Sequence, residues 1–464
     1  MAEKWLAAAV DYVSHWIEYQ MRISRLPGYA LAVSHKGALL LDETRGYSDA
    51  ARGIPLDGAH RFRVASHSKS FTAAGIMKLR EVGKLRLDDP LGQYLSSLHP
   101  AVSEITIAQL LSHGAGLSRD GGDSGQWHDL RDFLSAAELR EELAHGPIIE
   151  TALRFKYSNL GYGLLGLLIE AVTGVSYGQY IRRDIIEPAG LCETEPDSAG
   201  GLRLASGHSS LQPLGRRMTI PNEQPTNALA AATGFVSTAR DLSRFFGQLD
   251  PGAETSVLTV ASRREMIHRR WTDPSTAMER HYGFGLMGGG ADTWRWFGHI
   301  GAFQGCMSRT VVLPAIGVTV SLITNAIDGP AFAWIDSIIH ILRSFQSHGA
   351  PMDSIIDWKG RWWSLWGVVD FVPAGEKILI TSPSTLSPFL DATEFTPTGK
   401  DSGRITRANG LAYYGEDVHR QRNTAGDVEA INYAGNTLLP ERIFAAELAA
   451  RYELPRPVAL DRAS

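Results

Sequence analysis

The chain has 464 residues, of which 44% are apolar and 20% charged, with a formal net charge of −5. That length buries a large core and favours two domains over one, and a small negative charge spread over it argues against a nucleic-acid binder or a polybasic membrane-surface protein. Two cysteines, Cys192 and Cys306, give neither a disulfide framework nor metal-ligand spacing, so buried free thiols and no bound metal are expected.

Residues 1–24 carry an amphipathic helical pattern, and its apolar run from Trp5 to Val10 is shorter than a secretory or membrane-spanning segment. No later run reaches spanning length either, so a cytoplasmic protein without a membrane partner is expected. Residues 29–44 alternate around His35-Lys36-Gly37 as two strands joined by a tight turn. The next run, Val64-Ala65-Ser66-His67-Ser68-Lys69, leads into apolar positions at Phe71, Ile76, Leu79 and Val82, with Gly83 as a C-cap. Ser66 therefore lies at a helix start, where unpaired backbone N–H groups face whatever binds, and Lys69 shares its face. Serine is a weak nucleophile at neutral pH. A lysine whose pKa is lowered in a dry pocket can take its proton and start acyl transfer. The spacing alone also fits a surface lysine on a first helical turn; the ordered company of Tyr157-Ser158-Asn159 and His299-Ile300-Gly301 favours the nucleophile.

Helical patterns continue over residues 91–95, 106–111, 131–143 and 160–172, the last closed by Thr173-Gly174. Gly and Pro punctuate residues 196–234, read as loops around a cleft. Strand patterns return at 282–287, 294–298, 307–313 and 317–324. Strands at both ends with helices between them predict an α+β domain: an antiparallel sheet whose terminal strands pair, carrying an all-helical insertion. A composition shift over 344–353 separates residues 1–345 from a strand-rich unit at 354–464, with strand-like runs at 358–366, 377–381, 403–408, 410–414 and 428–433. Such short, regularly spaced strands predict a small antiparallel barrel or sandwich. Trp358, Trp362, Trp363 and Trp366 are expected in its core, a ligand-facing aromatic wall being the alternative.

The segments Ser66-His67-Ser68-Lys69, Leu110-Leu111-Ser112-His113-Gly114-Ala115-Gly116-Leu117, Tyr157-Ser158-Asn159-Leu160-Gly161-Tyr162-Gly163, Ser237-Thr238-Ala239-Arg240-Asp241-Leu242 and Gly298-His299-Ile300-Gly301 resemble the beta-lactamase-related serine hydrolases. That family includes class C beta-lactamases, D-alanyl-D-alanine carboxypeptidases, D-aminopeptidases and beta-lactamase-like esterases, and the resemblance covers about residues 10–345. It implies a beta-lactamase/transpeptidase-like fold in which Ser66 attacks a carbonyl carbon and forms an acyl-enzyme, with no cofactor. Lys69 would accept or activate the Ser66 proton, and Tyr157 would shuttle it once cations such as Lys69 lower the phenol's pKa; which of the two is the base stays open. Asn159 would hold Lys69 or the substrate amide. His299 stands where beta-lactamases and carboxypeptidases carry Lys-Thr-Gly, a departure that counts against penicillin as substrate and makes it a residue of substrate choice. Gly301 would let a substrate backbone approach the strand edge, and the N–H groups of Ser66 and Ala302 would form an oxyanion hole.

The implied function is hydrolysis of peptide or small amide bonds, with selectivity for D-configured or N-terminal residues. An esterase of the same fold is the alternative, and a beta-lactamase or a non-catalytic homologue the weaker ones. Partners would be a small peptide, amide or ester, without nucleic acid or membrane, and a homo-oligomer is compatible. Gly360-Arg361-Trp362 resembles the start of the small lipocalin-like barrel attached to some peptidases of this family. With no nucleophile motif of its own, that unit is expected to limit substrate size or support oligomer contacts.

Overall fold

A computed structural model describes residues 3–198, 200–211, 215–273, 279–290, 292–409 and 413–452. Compactness divides the chain into two units, residues 24–335 and residues 1–23 with 336–464.

The larger unit is built on a nine-stranded antiparallel sheet. From one edge its strands run Ile54–Pro55, Ala38–Asp49, Gly28–His35, Val318–Thr324, Cys306–Leu313, Trp296–Phe303, Met287–Gly289, Arg280–Tyr282 and Trp271–Thr272. The first and last long strands pair as the sequence predicts, in register from Tyr29 with Thr324 to His35 with Val318. Lys36 and Gly37 both take positive φ (49° and 80°), the turn geometry that matches the twist of the flanking strands. Between these strands the chain is mainly helical, from Ser68–Glu81 through Asn159–Thr173, which Ser158 caps and Gly174 ends at φ 71°. Two expectations are corrected. Residues 131–143 shrink to a helix at Ala136–Glu142, because Ser135 and Glu138 form a capping box that starts it late. Residues 282–287 are a hairpin, with Gly285 at φ 65° and the Gly283 N–H bonded to the Leu286 carbonyl.

The smaller unit holds eight antiparallel strands from Gly360–Ser364 to Asn436–Leu438 in sequential order. Paired N–H···O bonds between Trp363 and Leu439 bring its two ends together as a nearly closed barrel. Its core gathers Trp358, Trp362, Phe371, Ile378, Phe395, Val418 and Ile431. Trp366 is corrected: it sits on the turn after the first strand, 91% exposed. The strand expected at 410–414 falls on 410–412, outside the described residues, and Tyr413 and Tyr414 are not in a strand. The helix Lys4–Ile23 groups with the barrel. Gln20 donates to the Pro383 carbonyl (2.6 Å), Trp16 to the Thr385 carbonyl (3.2 Å), and Tyr12 packs 5.1 Å from Phe389.

Candidate active site

The site begins with a strained turn. The short strand Phe62–Arg63 pairs with Val236–Ser237, and the chain then passes through Ala65 at φ 45° into the helix Ser68–Glu81. A residue with a Cβ disfavours that conformation, so the surroundings must hold it. The Ser68 hydroxyl does so, donating to the Ala65 carbonyl (2.5 Å) and accepting the Phe235 N–H (3.0 Å). His67, fully buried, donates from Nδ1 to the Val64 carbonyl (3.0 Å) and accepts at Nε2 from Thr310 (3.1 Å). Burial pushes its pKa down to about 4, which keeps the ring neutral and the turn pinned to the sheet. Ser66 is left partly exposed at the helix start.

Three side chains meet at and beside the Ser66 hydroxyl. Lys69 Nζ lies 3.2 Å from Ser66 Oγ, one helical turn away, and the Tyr157 hydroxyl lies 2.8 Å from it. Lys69 is fully buried and also contacts Asn159 Oδ1 (2.8 Å) and the Ala232 carbonyl (2.7 Å). Burial drives its pKa well below the ordinary lysine value, although Asp120 works in the opposite direction. Three acceptors surround the Lys69 nitrogen, which donates to Ser66 Oγ, Asn159 Oδ1 and the Ala232 carbonyl.

Tyr157 departs from expectation, because its buried surroundings raise the phenol pKa more than the Ser66 hydrogen bond and Arg119 lower it. The phenol is therefore protonated at rest, and it donates to Ser66 Oγ. Asn159, at the first turn of its helix, links Lys69 to Asp120, whose Oδ1 accepts the Asn159 amide at 2.6 Å. Asp120 pairs in turn with the largely exposed Arg119 at 3.1 Å.

The strand Trp296–Phe303 supplies the other wall. The shorter strand beside it pairs only with Trp296, Phe297 and Gly298, so no described strand covers residues 299–303 on that side, and Ala302 is exposed there. His299 is buried: its Nδ1 donates to the Ile300 carbonyl (2.7 Å) and its Nε2 accepts from Tyr282 (3.1 Å). Burial holds its pKa well below 6.5, so it is a neutral ring with both nitrogens engaged and offers no cation to a substrate carboxylate. Gly301 also meets a packing need. A Cβ there would stand 2.2 Å from the Val64 carbonyl and 2.5 Å from Ser308 Oγ, so the glycine lets the strand lie against the turn that carries Ser66.

The structure thus brings Ser66, Lys69, Tyr157 and Asn159 into one hydrogen-bonded group. His299, Gly301 and Ala302 lie on the strand beside it. Asp120, Arg119, His113, Tyr282 and Ala232 were missed by sequence reasoning. His113 lies inside a quoted motif and Asp120 three residues beyond it, but a carboxylate after Gly116-Leu117 gives no sign that it faces Asn159. Among the described residues, no three His, Cys, Asp or Glu side chains converge where a metal could bind.

The family model described as Beta-lactamase matches residues 13–337. Penicillin-binding protein 4 of Amycolatopsis lactamdurans is 31% identical over 320 residues, 65% of this chain and 81% of that protein. Similarity to Protein flp of Staphylococcus aureus (strain COL), 31% identical over 185 residues, covers 38% of this chain and only 36% of that protein's length. The octameric penicillin-binding protein homologue from Pyrococcus abyssi superposes with a TM-score of 0.64 at 21% identity, covering 93% of this chain and 100% of its own. A D-stereospecific amidohydrolase from Streptomyces sp. does so with a TM-score of 0.57 at 26% identity, covering 66% and 92%. The two-unit architecture is a beta-lactamase/transpeptidase-like fold followed by a barrel, and the chain belongs to the Beta-lactamase family.

Proposed function

We propose that this chain is a serine hydrolase of small amides or N-terminal peptide bonds, in which Ser66 forms the acyl-enzyme. The observation that carries it is the pair of contacts on one hydroxyl: Ser66 Oγ lies 3.2 Å from a lysine whose pKa burial lowers and 2.8 Å from a protonated tyrosine. Lys69 takes the Ser66 proton as the oxygen attacks the carbonyl carbon. Tyr157 gives its proton to the leaving nitrogen, and Lys69 returns one to Tyr157 through the shared hydrogen-bonded group. Water then attacks the ester by the same path in reverse and releases the acid. The N–H groups of Ser66 and Ala302 hold the developing oxyanion.

Asp120 supports a substrate with a free α-ammonium, because its carboxylate lies on the far side of Asn159 from Lys69 and puts negative charge at the site. The likeness to a D-stereospecific amidohydrolase supports D-configured substrates, and the octameric neighbour supports self-association, which mass in solution checks. The test is a panel of D- and L-amino-acid anilides with free or acetylated amines. Ser66→Ala should lose turnover and fluorophosphonate labelling. Asp120→Asn should raise KM about tenfold more for free amines than for the acetylated substrates, roughly one charge-assisted contact. Labelling that persists in Ser66→Ala would remove the nucleophile assignment, and turnover of activated esters alone would make the protein an esterase.

A further inference from the structure

His113 is buried and takes φ 61°, a left-handed conformation that a side chain with a Cβ adopts only when its surroundings impose it. Its own carbonyl accepts the Lys156 N–H at 2.8 Å, and its ring Nδ1 accepts the Ser158 N–H at 3.1 Å. These are the residues on either side of Tyr157. The imidazole also lies against the phenol ring, with centroids 4.2 Å apart and planes tilted by 34°. Because Nδ1 accepts, the neutral ring carries its proton on Nε2, and that buried nitrogen has no hydrogen-bond partner. A leucine would fill the volume without leaving an unpaired N–H, so the ring's value at this position is the acceptor it aims at Ser158.

We propose that His113 is the positioning residue for Tyr157: it grips the backbone on both sides of the tyrosine and backs its ring, so that the phenol sits 2.8 Å from Ser66 Oγ. The proposal rests on the reading of Tyr157 as proton donor to the leaving group. The Lys156 bond reaches a backbone carbonyl and survives substitution, whereas the Ser158 bond depends on the side chain. Losing it frees one end of the tripeptide that carries the phenol, and a shift of about 1 Å in a reacting group costs on the order of 100-fold in rate.

A leaving-group comparison separates positioning from general support of the fold. A p-nitroanilide needs a proton on its leaving nitrogen, whereas a p-nitrophenyl ester of the same acid expels p-nitrophenolate without one. Tyr157→Phe should lower kcat/KM for the anilide about 100-fold or more and for the ester under about 10-fold. His113→Phe keeps a ring against Tyr157 but removes the acceptor, so it should show the same split, about 10- to 100-fold against under about 3-fold. His113→Asn tolerates positive φ and can accept the Ser158 N–H at Oδ1, so it should stay within about 5-fold of wild type on both. Equal losses on the two substrates in His113→Phe, or an asparagine variant no better than the phenylalanine one, would overturn the proposal. If His113→Phe does not fold, His113→Asn decides alone: a loss above about 30-fold on the anilide only would show that the acceptor is not what matters. A Tyr157→Phe enzyme without the split would overturn the proton-donor reading itself, which distinguishes that failure from a failure of His113.

Discussion

Gly301→Ala is the perturbation with the clearest geometric consequence. The added methyl would stand 2.2 Å from the Val64 carbonyl oxygen, 2.5 Å from Ser308 Oγ and 3.0 Å from His67 Nδ1. Non-bonded heavy atoms settle near ~3.5 Å, so roughly 1 Å of separation must be found. The Ser308 hydroxyl can rotate away. The Val64 carbonyl cannot, because it accepts both the His67 N–H (3.2 Å) and the His67 ring (3.0 Å). The displacement therefore falls on the turn that carries Ser66 or on the strand that carries Ala302, whose N–H groups are the proposed oxyanion donors. Overpacking of this kind costs about 1–3 kcal/mol, which corresponds to a Tm lower by about 2–6 °C. Opening the site by about 1 Å should slow acylation about 100-fold. Fluorophosphonate labelling rate, anilide kcat/KM and thermal unfolding read the three effects. Gly58→Ala, with open space around it, is the matched control. A Gly301→Ala protein that labels within about threefold of wild type, with an unchanged Tm, would refute the claim that this glycine sets the strand against the turn.

Three further outcomes follow from the same contacts. Lys69→Arg should leave kcat below about a tenth of wild type, since a guanidinium stays protonated near neutrality and does not fit a site shaped for one nitrogen; activity above that level would end its role as proton acceptor. Acid should destabilise the fold before the carboxylates titrate. Buried, neutral His67, His113 and His299 all have folded pKa values below the unfolded 6.5, so the unfolded chain binds more protons and stability is lost as pH falls below 6.5. His67 alone, at about 4 when folded, accounts for about 2 kcal/mol between pH 7 and pH 5, and denaturant unfolding of equal midpoint at the two pH values would contradict this. Ending the chain at Arg343 should make it aggregate unless residues 1–23 are removed as well, because the buried face of that helix (Leu6, Val13, Trp16, Ile17) loses the segment around Pro383, Thr385 and Phe389. Equal solubility of the two truncations by light scattering would show that the helix does not depend on the barrel unit.

What was legible in the sequence divides by how far along the chain each relation reaches. Ser66 with Lys69 and Tyr157 with Asn159 are local spacings on helix starts, so short motifs carried them. The pairing of Gly28–His35 with Val318–Thr324 was legible for another reason: strand patterns at the two ends of a mainly helical stretch have few partners besides each other. The N-terminal helix was legible as amphipathic, yet an apolar stripe states only that something must cover it. The covering segment lies some 365 residues away, at Pro383 and Thr385, and that choice is invisible in periodicity.

Protonation was the least legible property, and it decides how the site works. The resemblance implied a Lys69 cation that lowers the Tyr157 phenol. Burial instead raises the phenol's pKa and lowers that of the lysine. The same logic silences His299. Its place in the motif order suggested a group facing substrate, but the hairpin at Gly283–Leu286, read from sequence as one continuous strand, brings Tyr282 onto its Nε2. Under the proposed function, the Asp120 carboxylate behind Asn159 would favour a substrate that brings its own positive charge, through contacts between residues 39 and 90 positions apart.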